Sequence, residues 1–247
     1  MSGHSKWSTI KRKKGANDAK RGKLFAKLIR AIEVAAKNGG ADPANNASLY
    51  QAISKAKSMS VPNDNIEKAL KRLSGQAEGE NYDEIFYEGY GPHGVAVLVE
   101  CLTDNRNRTS ADVKSVFSKF NGSTGTPGSV NYLFDRKAVF YFESRDEDII
   151  DIGIENSCLD FIDNETGITL EFSPHDFKKM NELFITKNLK ASSAEIAYLP
   201  STSIMLNETQ FQQITKLIES LEDLDDVQNV YTNFDIEENI LDTAINE

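Results

Sequence analysis

The chain has 247 residues, 39% hydrophobic and 27% charged, the balance of a globular protein and not of a disordered one. Its apolar runs end after a few residues, as at 95–99, far short of the ~20 that a membrane-spanning helix needs, and no apolar stretch near Met1 resembles a secretory signal. Cys101 and Cys158 are too few and too far apart for a disulfide framework and read as core thiols of a reducing cytoplasm.

The net charge of −10 conceals an asymmetry. Residues 1–80 hold 16 Lys/Arg against 7 Asp/Glu, whereas residues 81–247 hold 12 against 31. Almost all of the positive excess lies in residues 1–37, with 11 bases against 2 acids. Such a distribution calls for a polyanion at the basic end, and the acidic remainder confines that contact to one face.

Residues 1–17 have no apolar periodicity, a single aromatic (Trp7), Lys6, and the run Lys11, Arg12, Lys13, Lys14: a basic arm, with a transit peptide as the competing reading. Asp18 opens a helix expected to run to Asn38 and to stop at Gly39–Gly40. At about 100° per residue, Leu24, Phe25, Leu28, Ile29, Ile32, Ala35 and Ala36 share one face. Lys20, Lys23, Lys27, Arg30 and Lys37 share the opposite one, with Arg21 falling inside the apolar arc. Helices at 46–58 (Leu49, Ala52, Ile53 and Ala56 inward) and from Pro62–Asn63 to Gly75 (Ile66, Leu70 and Leu73 inward) complete a three-helix bundle. Residues 74–81 read as a linker.

From Tyr82 the period shortens to that of strands. Residues 84–90 turn through Gly91, Pro92, His93 and Gly94 into 95–102, apolar on both faces and therefore central. Thr109 with Asp112 has the spacing of a capping box, ahead of a helix with Val113, Val116, Phe117 and Phe120 inward. A glycine-rich loop at 121–129 follows. Residues 138–199 read as β-α-β-β-α-β, the split-βαβ, ferredoxin-like order, with Ile168, Leu170 and Phe172 alternating with Thr169 and Glu171 as in a half-solvated sheet. A final strand, helix and strand at 202–206, 208–221 and 227–234 can complete the unit begun at Tyr82, which would make the middle unit an insertion.

His4, His93 and His175 are scattered, the cysteines form no C-x-x-C, and neither a P-loop nor G-x-S-x-G occurs. No residue is assigned a catalytic role, and neither metal nor cofactor is expected. Lysine and arginine neutralise phosphates, and Trp7 among them suits stacking on an exposed base of single-stranded or looped RNA. The candidate nucleic-acid-binding residues are therefore Lys6, Trp7, Lys11, Arg12, Lys13, Lys14, Lys20, Arg21, Lys23, Lys27 and Arg30. A secondary functional loop comprises Gly91 and His93 at the turn, and Asp104, Arg106 and Arg108 at a helix start. Two arginines there can hold phosphate or carboxylate. Equally, Asp104 can pair with an arginine while Asn107 or Thr109 caps the helix. Residues 219–247 carry ten acids and no base, either as a solvated face or as an intramolecular mimic of nucleic acid.

Taken together, Gly3-His4-Ser5-Lys6-Trp7, Asp18-Ala19-Lys20-Arg21-Gly22-Lys23, Gly39-Gly40-Ala41-Asp42-Pro43, Pro62-Asn63-Asp64-Asn65-Ile66, Tyr87-Glu88-Gly89-Tyr90-Gly91-Pro92, residues 103–109 and Asp225-Asp226-Val227-Gln228-Asn229-Val230-Tyr231 resemble the YebC/PmpR family. The resemblance is collinear from Gly3 to Tyr231 and begins without a presequence, which implies a bacterial cytoplasmic member. It implies an α+β multidomain fold: an N-terminal three-helix bundle (1–78) and two α/β, ferredoxin-like domains, one (82–134 with 202–240) interrupted by the other (135–201). It also implies a regulator of gene expression, labelled in the family as DNA-binding transcriptional regulators, with mitochondrial relatives that activate translation and bacterial members tied to stalled ribosomes. The chain departs from the family pattern at His93, where glycine is expected, and at Tyr50, where a basic residue is expected and whose presence thins the basic surface. The combined expectation is a non-enzymatic, monomeric factor that binds the ribosome or its RNA, with duplex DNA as the alternative partner and no membrane.

Overall fold

A computed structural model describes residues 18–74, 82–164 and 167–237 with Ile240 and Thr243, and the side chains of these except at 18–20, 73, 74 and 164. The basic arm and most of the expected linker lie outside the described residues. The fold is α+β. Contacts divide the chain into two compact units, one drawn from Met1–Lys27, Gly79–Asp135 and Leu199–Glu247, the other from Leu28–Glu78 and Arg136–Tyr198.

The second unit begins within helix α1 (Asp18–Gly39), followed by α2 (Ala47–Ser58) and α3 (Asn63–Ser74). Leu28, Ile32, Ala36, Leu49, Ala56, Val61, Ile66 and Ala69 are buried, and Ala52, Ile53 and Leu70 half-buried, close to the expected apolar faces. One side chain sets the corner between α1 and α2. Asn46 accepts from the Leu49 amide and donates to the carbonyls of Ala35 (2.7 Å) and Gly40 (2.8 Å), capping one helix while closing the other.

The same unit contains β4 (Phe134–Phe142), α5 (Glu147–Glu155), β5 (Asp160–Asn164), β6 (Gly167–Phe172), α6 (Phe177–Thr186) and β7 (Ser193–Pro200). The sheet order β5-β6-β4-β7, with β6 antiparallel to both neighbours, is the split-βαβ order. Its core is aromatic: Phe140 meets Phe184 at 5.2 Å and Phe177 at 5.5 Å between ring centroids, and Phe142 meets Phe184 at 4.9 Å. Such pairs add about 0.5–1.5 kcal/mol each to the burial of the rings. The half-solvated pattern expected for β6 is not found. Thr169 and Glu171 are buried along with Ile168, Leu170 and Phe172, and Glu171 tolerates burial because Lys137 Nζ lies 2.7 Å from its carboxylate.

Tyr50 is not part of a solvent-facing basic surface. It is half-buried against α6, its ring edge-on to Phe177 at 6.4 Å and its hydroxyl accepting from Asn181 Nδ2 at 3.0 Å. A basic side chain there would leave an apolar seam unfilled, so the departure at this position is one of packing.

The first unit contains β1 (Asp83–Tyr90), β2 (Ala96–Thr103), α4 (Arg106–Lys119), β3 (Ser123–Thr124), β8 (Ile204–Leu206), α7 (Glu208–Glu222), β9 (Val227–Thr232) and β10 (Phe234–Ile236). The main sheet runs β3-β1-β2-β9, so β2 is interior as its apolar faces require, and β10 pairs in parallel with β8. Strand β9 pairs with β2, and α4 and α7 share one core through Val113, Phe117, Ile214 and Leu217; the C-terminal segment completes the unit begun at β1. The expected single strand at 227–234 breaks at buried Asn233, whose Oδ1 accepts from the Ala96 amide (2.8 Å) and whose carbonyl accepts from that of Ile204.

Candidate nucleic-acid interface

Helix α4 begins four residues earlier than the Thr109–Asp112 capping box would place it. Asn105, in extended conformation, is the cap and accepts from the Arg108 amide. Arg106 and Arg108 therefore stand in a helical first turn, not in an open loop, and neither Asn107 nor Thr109 caps. Thr109 faces inward, where its hydroxyl, that of Thr103 and Arg108 Nη2 converge on Asp226 Oδ2 at 2.8, 3.1 and 2.7 Å. Arg108 Nη2 also reaches Asp104 at 2.7 Å, and Arg106 Nε reaches Asp83 at 2.8 Å. Burial pushes the Asp226 carboxyl up, but these donors outweigh it and hold the group below the ordinary value; the same carboxylates raise Arg108. Both arginines of the candidate anion loop are thus paired with carboxylates, and the segment is a structural anchor for Asp226.

Asp226 fixes the acidic segment that precedes it, and this segment meets α1. Lys27 Nζ donates to the Glu222 carbonyl at 2.6 Å. Lys23 Nζ lies 3.2 Å from Asp225 Oδ1 and 3.4 Å from the Asp223 carbonyl. Cations belong at such a helix end, where α7 leaves carbonyls without intrahelical partners. The expectation that Lys27 sits on an open phosphate-facing stripe is corrected: it is half-buried and committed to α7. Arg21, expected within the apolar arc, is exposed with its guanidinium 5.4 Å over the Phe25 ring, as a long side chain can arrange in the first turn, ahead of the apolar stripe. Lys23 is exposed and Arg30 half-buried. Lys6, Trp7 and Lys11 to Lys14 lie outside the described residues, as does the side chain of Lys20.

The β1–β2 turn is a built feature. Gly91 is buried, and a Cβ there would stand 2.6 Å from Ile214 Cδ1 and 2.9 Å from Leu217 Cδ2, so the turn packs flush on α7. His93 has φ of +64°, the left-handed region, which is why glycine is the natural occupant; its Nε2 is held 2.6 Å from Gln213 Oε1. Beside this turn, β3 pairs with the end of β1, and the glycine-rich loop hangs from Glu88. The carboxylate is buried and accepts from the amides of Gly128 (2.6 Å), Val130 (2.7 Å) and Asn131 (2.8 Å). Burial raises its pKa, but the three backbone donors prevail and lower it. Neither Glu88 nor Asp226 is singled out by sequence patterning. The available signal is the glycine-rich loop at 121–129, whose backbone amides need acceptors from outside regular secondary structure.

Cys101 is buried, and burial with the nearby Asp226 and Glu100 carboxylates pushes its thiol up to about 12, the state of an inert core cysteine. Among the described residues no group of three or more His, Cys, Asp or Glu is arranged to hold a metal, and no helix is long and apolar enough to cross a membrane.

Two family models match the chain: the TACO1/YebC protein N-terminal domain over residues 5–76, and the TACO1/YebC second and third domain over residues 82–234. A protein of Trichlorobacter lovleyi named probable transcriptional regulatory protein is 50% identical over 238 residues, 96% of each chain. Proteins of the same name from Idiomarina loihiensis and Borreliella afzelii are 49% and 51% identical over 98% and 97% of this chain, and over 98% and 100% of their own. The crystal structure of a conserved hypothetical protein, Aq1575, from Aquifex aeolicus superposes with a TM-score of 0.79 at 40% identity, covering 89% of this chain and 92% of that one. With both models matched in order and relatives of this identity along nearly its whole length, the chain belongs to the TACO1/YebC family.

Proposed function

We propose that the protein is a non-enzymatic, cytoplasmic regulator of gene expression that binds the ribosome or its RNA as a monomer, through the basic arm and the exposed part of α1. The observation that carries this reading is the confinement of positive charge to residues 1–37, 11 bases against 2 acids, in an otherwise acidic chain. Arg21 and Lys23 present the charge on α1, and Trp7 in the arm supplies a stacking ring suited to an unpaired base. A stripe of lysine and arginine positions a protein on phosphate but reads base edges poorly without Asn or Gln, which favours recognition of RNA shape over a duplex sequence. The turn at Gly91 and His93 and the Glu88-held loop, side by side at one end of the β1 strand, form the second surface offered to the target.

A second reading, a DNA-binding transcriptional regulator, is favoured by the names of the relatives. It requires strong preference for a defined duplex over random DNA at physiological salt.

Replacing Lys11, Arg12, Lys13 and Lys14 together by alanine weakens binding to single-stranded RNA and flattens its salt dependence by roughly 3 in log–log slope, at about 0.7 per lost phosphate contact. The melting temperature stays where it was. Fluorescence anisotropy across a salt series measures both; an unchanged affinity and slope would remove the arm from the interface.

A further inference from the structure

We propose that residues 222–226 are an intramolecular stand-in for phosphate, which holds Lys23 against the end of α7 until a polyanion displaces it. The proposal rests on the reading of α1 as a polyanion-binding helix. Three features place an acceptor set, not a random acidic surface, opposite that helix. The carbonyls of Glu222 and Asp223 end α7 and point at Lys27 and Lys23, at 2.6 and 3.4 Å. The Asp225 carboxylate adds a formal charge 3.2 Å from Lys23. The next residue, Asp226, is tied down by Thr103, Thr109 and Arg108, and its carbonyl accepts from the Leu102 amide at 2.8 Å. The socket is therefore formed before any ligand arrives, and Arg108 and Asp226 act as positioning residues for it.

The two lysines differ in how readily they can be released. Lys27 is half-buried on a short hydrogen bond and stays seated. Lys23 and Asp225 are 58% and 74% exposed, so their pair is weak and open to exchange. A single phosphate gains little by competing with it, whereas a polyanion that engages the arm brings further phosphates to Lys23 at high local concentration. The contact thus lowers the affinity for any anion that uses Lys23 by the strength of one exposed ion pair, which a polyanion anchored on the arm is able to displace.

The test uses the full chain with Asp225→Asn, a substitution at an exposed residue, and Glu208→Gln at the other end of α7 as a control of equal charge change. The probes are homopolymeric single-stranded RNA and inorganic polyphosphate. Asp225→Asn tightens binding of both about two- to fivefold and steepens the salt dependence by about one phosphate contact, while Glu208→Gln has less than half that effect. Lys23→Ala then loses more affinity in the Asp225→Asn background than in the parent chain. Equal effects of the two acid substitutions, or the same Lys23→Ala loss in both backgrounds, would overturn the proposal. If RNA binds no variant while polyphosphate follows the expected pattern, the nucleic-acid reading fails and the stand-in remains; if polyphosphate shows no such pattern, the stand-in fails.

Discussion

Asp226→Ala destabilises the first unit by about 3–4 kcal/mol, because one change strands several partners at once. The buried hydroxyls of Thr103 and Thr109 lose a shared charged acceptor, which leaves Thr109 with Thr103 Oγ1 and the Asn105 carbonyl, and Arg108 loses one of its two carboxylates. Asp226→Asn keeps an acceptor but not the charge, and recovers part of the loss. Urea unfolding followed by circular dichroism measures both variants. A loss below about 1 kcal/mol for the alanine variant would mean that the segment at 222–226 is held by its backbone alone. The same variant loosens the socket for Lys23, so its RNA affinity at a temperature where it remains folded moves in the direction of Asp225→Asn.

Glu88→Ala removes about 2–3 kcal/mol by leaving the amides of Gly128, Val130 and Asn131 without an acceptor in a buried site. Glu88→Gln retains an acceptor but replaces the other oxygen with an amino group that faces amide donors, and loses a comparable amount. Glu88 also carries a pH dependence of defined sign. Its folded pKa lies below the ordinary 4.5, as that of Asp226 lies below 3.8. In the window between those values and the lower folded ones, the unfolded chain binds more protons than the folded chain. Their contribution is present in full well above pH 4.5 and is lost as pH falls through the folded values. Glu88→Gln shows a correspondingly shallower loss of stability on acidification, measured by urea midpoints between about pH 6 and pH 3. A parallel decline in both chains would assign the acid sensitivity elsewhere.

How much of this was legible in the sequence follows from what periodicity records. Apolar spacing reports which face of an element is inward, and it located α1, the interior strand β2, and the ferredoxin-like order of residues 138–199. It fails where an inward position holds a polar residue with a partner distant in sequence. Glu171 reads as solvated until Lys137 is placed beside it, and Thr109 reads as a cap until Asp226, 117 residues away, is found against it. The charge asymmetry points to a candidate interface, yet spacing on a helical wheel says nothing of what faces the stripe. The commitment of Lys27 to α7 depends on an acidic segment 195 residues downstream. The glycine expected at position 93 is a different case: the positive φ explains the preference, and the Gln213 contact shows how a histidine is accommodated there.

The most direct test of the central claim, that the basic end of the chain binds ribosomes or their RNA, is co-sedimentation of the full chain with purified ribosomes across a salt series. Random and promoter duplex DNA serve as competitors, and the alanine variant of Lys11, Arg12, Lys13 and Lys14 is run in parallel. The expected result is ribosome binding that resists both DNAs, weakens with salt, and fades in the variant. Loss of the ribosome-bound fraction to promoter DNA, with random DNA ineffective, would contradict the claim and assign the protein to transcription.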